Sequence, residues 1–130
     1  MAAEQETRTR VRRVEKALRE ELATMLAHEV KDPGAAGTIV TRVELSNDLR
    51  SAKVHVRLLE GGDDAARRTS VVAALGRATG MLRREVTQRL QLRSAPELRF
   101  VYDDGQDNTT RVEQLLAEID AERKPPPRST

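Results

Sequence analysis

Cysteine and tryptophan are absent from this 130-residue chain, and Phe100 and Tyr102 are its only aromatic residues. Without a thiol there is no disulfide framework, no cysteine nucleophile, no zinc ribbon and no iron–sulfur site, and the usage fits a reducing compartment. Two aromatics cannot build the stacking surface with which RNP-type and cold-shock-type domains hold bases. Histidine is nearly as scarce. His28-Glu29 opens like a zinc-protease helix, but Asp32-Pro33 stands where the second histidine would be needed. His55 lies between Lys53 and Arg57 on the polar side of a strand, where an exposed position is expected. No apolar run approaches a membrane span. Met1-Ala-Ala-Glu-Gln-Glu6 lacks the basic-then-apolar order of a signal peptide. These absences predict a cytoplasmic protein with no cofactor, no metal and no membrane partner.

Catalytic patterns are missing too. Gly34-Ala-Ala-Gly37-Thr38 lacks the lysine of a nucleotide-phosphate loop, and no strand precedes it. Carboxylates gather in hydrophilic stretches with no apolar surroundings to raise a pKa. Asp103, Asp104 and Asp107 lack calcium-loop spacing. No nucleophile has a partnered base, so a binding protein is expected rather than an enzyme, with no small-molecule substrate.

What the chain does have is charge, unevenly spread. Between Ala65 and Arg93 stand seven arginines (67, 68, 77, 83, 84, 89 and 93) against Glu85 alone, while the whole chain is only +2. From Glu97 to Glu122 eight acids face Arg99 and Arg111. A strongly basic segment in a nearly neutral protein points to an anionic partner for one face. A solvated, salt-bridged surface is the plain alternative.

Hydrophobic periodicity supplies the elements. Val11, Val14, Leu18, Leu22, Met25 and Leu26 recur at helical spacing and predict a helix from Thr7 to Val30. Arg8, Arg10, Arg12, Arg13, Lys16 and Arg19 lie in its first half, and Pro33 ends it. Two strands follow, with Ile39, Thr41, Val43 and Leu45 inward on the first and Ala52, Val54, Val56 and Leu58 inward on the second. Gly61-Gly-Asp-Asp64 offers an N-cap to a helical stretch from Ala65 to Leu92. Gly76 and Gly80 predict a bend within that stretch. Leu98, Phe100 and Tyr102 mark a third strand, and Thr110-Arg-Val-Glu113 is a capping box opening a last helix. The expected organisation is α+β: helices on one face of a three-stranded sheet, plus a C-terminal helix. Residues 1–6 are expected to be a flexible N-terminus, 7–122 a single domain and 123–130 a proline-rich flexible tail.

Five stretches in this order resemble the bacterial ribosome-binding factor A family. They are Val30-Lys-Asp-Pro33, Val43-Glu-Leu-Ser-Asn-Asp-Leu-Arg-Ser-Ala-Lys-Val54, Arg77-Ala-Thr-Gly-Met-Leu-Arg-Arg-Glu85, Leu90-Gln-Leu-Arg93 and Ser94-Ala-Pro-Glu-Leu-Arg-Phe-Val-Tyr-Asp103. The resemblance runs from about Arg8 to Ile119. It implies a KH-like domain of type II order (helix-strand-strand-helix-bend-helix-strand) in which an Ala-x-Gly bend, here Ala78 and Gly80, replaces the usual Gly-x-x-Gly loop. It also implies a monomer that binds the immature small (30S) ribosomal subunit, assists late maturation and 5′-end processing of 16S rRNA, and takes part in cold adaptation. The RNA-binding residues implied are Arg77, Ala78, Gly80, Arg83, Arg84 and Arg89. Arg42, Lys53 and Arg57, with Arg99, form a second candidate surface on the sheet. Family members often carry a basic residue where this chain has Gly34. The competing readings are a protein-interaction module docking through the basic amphipathic first helix, and membrane-surface association through the same helix.

Overall fold

A computed structural model describes residues 2–105, together with Leu116 and Ile119. Helix α1 (Ala2–His28) is followed by a single 3-10 turn (Pro33–Ala35), strands β1 (Thr38–Leu45) and β2 (Ser51–Leu58), helix α2 (Ala65–Arg89) and strand β3 (Glu97–Tyr102). The sheet order is β1-β2-β3; β1 and β2 are antiparallel, and β3 runs parallel to β2. A parallel neighbour requires a crossover, which α2 provides.

One core joins these elements. Val11, Leu18, Leu22, Met25 and Leu26 of α1 and Val71, Ala74, Leu75, Leu82 and Val86 of α2 are buried against Val43, Val54, Val56, Leu98 and Phe100. Helix α1 starts at Ala2, ahead of Thr7 where its apolar pattern begins; alanine, glutamate and glutamine extend it by propensity while remaining exposed. Glu15 ties α1 to the sheet by accepting the Leu45 N–H at 2.7 Å. Asp64 caps α2 as expected, accepting from the Ala66 N–H at 2.9 Å. The 3-10 turn packs closely on α2 at Gly34. A Cβ on Gly34 would stand 3.1 Å from the Ala74 Cβ.

Two expectations about the elements are corrected. The ladder shifts between Val40 and Arg42, leaving Thr41 as an extra residue. Partners of the inward Leu58, Val56, Val54 and Ala52 are therefore Thr38, Val40, Val43 and Leu45, and Ile39 and Thr41 do not face the core. The second correction concerns α2. It runs unbroken from Ala65 to Arg89, so the bend expected at Ala78 and Gly80 is not there. Neither Gly76 nor Gly80 has a positive φ. Val71, Ala74 and Leu75 before the glycines and Leu82 and Val86 after them pack into the same core. That burial outweighs a helical cost of about 1 kcal/mol per glycine. The helix ends beyond Arg89, with Gln91 at φ 53 and the Leu92 N–H donating to the Thr87 carbonyl. The last helix expected from Thr110 and the tail lie outside the described residues, apart from Leu116 and Ile119, which are both exposed.

A continuous helix has a consequence for stability. A Cβ at Gly76 would meet nothing within 4 Å, and one at Gly80 only the Arg84 Nη1 at 3.9 Å. Gly76→Ala with Gly80→Ala is expected to stabilise the fold by about 1–2 kcal/mol in urea melts. A functional bend at Gly80 would instead make the pair destabilising.

Candidate nucleic-acid interface

Because α2 buries one side along its whole length, its opposite side is exposed along its whole length. Gly76, Gly80 and Arg84 are exposed and four residues apart, so they lie in one stripe, with Arg77 beside them. The two glycines bare helical backbone there. Arg84 makes no hydrogen bond or ion pair among the described residues and lies back over Gly80. The Arg77 side chain is 63% exposed, yet one edge of its guanidinium is anchored. Its Nε and Nη2 lie 3.0 and 2.9 Å from Asp32 Oδ2. The Gly34 N–H and then Arg77 hold the Asp32 carboxyl below its ordinary pKa. The Lys31-Asp-Pro33 stretch thus positions a candidate phosphate ligand on another element, a role that periodicity could not reveal.

The other expected site residues are placed differently. Ala78 lies on the inner side of α2, partly buried against the core. Arg83 donates from Nε to the Pro96 carbonyl at 2.9 Å and from Nη2 to the Ala95 carbonyl at 3.1 Å, fixing the entry to β3. Arg89 meets Glu21 at 2.8 Å, Glu29 at 2.8 Å and 2.5 Å, and Glu85 at 3.4 Å. Those contacts hold the Arg89 pKa above its ordinary value; hydrogen bonding to Arg89 holds that of Glu29 below. The Arg83 and Arg89 guanidiniums are thus engaged within the fold.

On the outer face of the sheet, Lys53, Arg57 and Arg99 are exposed, and Lys53 pairs in register with both Glu44 and Arg99. Arg42 is half-buried, 3.5 Å from Glu44 Oε1. His55 is not exposed as expected but buried, at 2%. Its Nε2 lies 3.2 Å from Glu44 Oε2 and 3.2 Å from the Arg42 guanidinium. Alternation reveals which face a residue takes, not whether long neighbouring side chains cover it. Nearby, the Thr41 hydroxyl donates to Asp103 at 2.6 Å. Among the described residues no group of histidines and carboxylates could hold a metal ion, and no helix is long and apolar enough to cross a membrane.

The family model described as ribosome-binding factor A matches residues 10–116. A ribosome-binding factor A of Sorangium cellulosum is 48% identical over 110 residues, covering 85% of this chain and 88% of that protein. The crystal structure of ribosome-binding factor A from Thermus thermophilus shares the fold, with a TM-score of 0.62 at 24% identity over 74% of this chain and 98% of that one. The solution structure of a Thermotoga maritima candidate for the same factor gives 0.52 at 33% identity over 75% and 86%.

The Arg89 cluster sets a pH dependence. A glutamate whose pKa is lowered in the folded state contributes stability above its ordinary value of 4.5 and loses it as pH falls through the folded value. Arg89→Met is expected to melt below the wild type at neutral pH, with the gap closing as the solution is acidified below 4.5. A gap independent of pH would mean that Arg89 acts by packing alone.

Proposed function

The chain belongs to the ribosome-binding factor A family, and from that premise we propose that it is a ribosome-assembly factor acting on the immature small (30S) subunit. In this reading it is a monomer that binds 16S rRNA, favours one rRNA conformer over another, and so assists late maturation and 5′-end processing without bond-making chemistry of its own. A protein shifts such an equilibrium only through a difference in affinity for the two conformers.

One observation carries the reading: the exposed stripe of α2, where Gly76 and Gly80 leave backbone bare beside Arg77 and Arg84. Without Cβ atoms an RNA strand approaches the helix closely, and the arginines meet its phosphates with planar donor forks. Arg77 is already oriented by Asp32. Such contacts read backbone and shape rather than sequence.

The test compares two charge-matched pairs on purified small subunits. Arg77→Gln with Arg84→Gln is expected to weaken binding and reduce the log–log salt slope by roughly 1.4–1.8, since two phosphate contacts are lost. Lys53→Gln with Arg57→Gln should leave that slope near the wild-type value. Gly76→Ala with Gly80→Ala should bind less well despite its greater stability. A larger slope change in the strand pair would move the rRNA surface to the sheet.

A further inference from the structure

At one end of the sheet, α1, the β1–β2 turn and the α2–β3 loop enclose a cleft of about 530 Å3. Arg10, Arg50 and Arg93 line it, one from each element, with Asp48 as the one acid among the lining residues. None of the three guanidiniums has a hydrogen-bond or ion-pair partner among the described residues. The acid is occupied: Asp48 Oδ1 accepts from the Ser46 hydroxyl at 2.6 Å and the Arg50 N–H at 3.0 Å. Val14, Leu45 and Leu49 give the cleft apolar walls, and Asn47 and Gln91 bring amide groups to it.

The backbone around the cleft is also unusual. Leu49 (φ 62) and Gln91 (φ 53) are the non-glycine residues with positive φ among the described residues, and both line this cleft. Left-handed backbone at such residues is strained and collects where the fold must present a surface in one shape. Leu49 is held there by its N–H to the Ser46 carbonyl at 2.9 Å, and Gln91 by its N–H to the Gln88 carbonyl at 3.2 Å.

We propose that this cleft receives a single unpaired nucleotide of the bound RNA, its base against the aliphatic wall and its flanking phosphates on Arg10, Arg50 and Arg93. The proposal rests on the RNA-binding reading above and adds a second, base-accepting contact. The volume falls within the roughly 300–1,000 Å3 of small-ligand sites. Apolar walls suit a base, the amides can meet its edge, and three guanidiniums against the single carboxylate of Asp48 suit phosphates. A duplex cannot enter, because its bases are already stacked and paired. Scarcity of aromatics excludes an open stacking surface, but it does not exclude a pocket.

The test uses the full chain and fluorescence anisotropy with three probes: a single-stranded hexaribonucleotide, the same sequence as a duplex, and the same strand made abasic. The wild type should bind the base-bearing strand about tenfold more tightly than either of the others. Arg50→Gln with Arg93→Gln should abolish that preference while melting normally. Arg19→Gln with Arg67→Gln, an equal charge change elsewhere, should preserve it. Equal affinity of the wild type for abasic and base-bearing strands would overturn the proposal, as would a preference surviving in the Arg50/Arg93 pair. The α2 reading fails separately, through an unchanged salt slope of the Arg77/Arg84 pair on subunits.

Discussion

Strands β2 and β3 run parallel, so the chain between them must cross the sheet, and α2 is that crossing. Its length and buried face follow from the need to cover the strands it connects. Val71, Leu75, Leu82 and Val86 satisfy that need over the full helix, and they do so across the glycines. The exposed stripe is the geometric complement of this burial. A helix committed to the core on one side presents a continuous exposed stripe on the other, and the stripe is where backbone is bare and Arg84 unengaged. Stability and the proposed docking surface are two sides of one packing decision.

Electrostatics divides the arginines into two kinds that composition cannot separate. Within α2 and the loop that follows it, Arg83 holds carbonyls, Arg89 gathers three carboxylates, and the Arg68 guanidinium lies 5.5 Å from the Tyr102 ring centre. Part of the basic charge counted along the chain is thus engaged within the fold, by carboxylates at Arg89 and by loop carbonyls at Arg83. What remains directed outward is spread over several places: the α2 stripe, the three-element cleft, Lys53, Arg57 and Arg99 on the sheet, and the exposed cations of α1. An anionic partner meets a pattern rather than a uniformly positive surface.

Much of the architecture was legible in the sequence because it depends on local period. The α1 stripe, the inward side of β2, the Asp64 cap and the third strand all follow from spacing and capping chemistry. Features that depend on a neighbour were not legible. Thr41 becomes an extra residue only in the presence of β2, and His55 is met by the side chains of its register partner Arg42 and of Glu44, two positions further along β1. The bend expected at Gly76 and Gly80 does not break α2, because a glycine's cost is local, whereas the burial that overrides it is tertiary. In the candidate site, arginine positions could be read, but not their partners. Arg89 pairs with glutamates more than fifty residues distant. Arg10, Arg50 and Arg93 come together only when three separate elements fold.

The extra residue in β1 also bears on how the chain can change length. Val40 pairs with Val56 and Arg42 with His55, adjacent positions on β2, so Thr41 occupies no rung of the ladder. A shorter chain lacking only that residue would pair without interruption from Thr38 to Leu45, every core-facing side chain keeping its place. What it would forfeit is the clasp between Thr41 and Asp103 that joins β1 to the end of β3. Most single-residue deletions in a strand exchange its two faces. At this position a deletion costs only the Thr41 hydroxyl's contacts with Asp103 and the His55 carbonyl, and strand length is free to drift where its pairing is not.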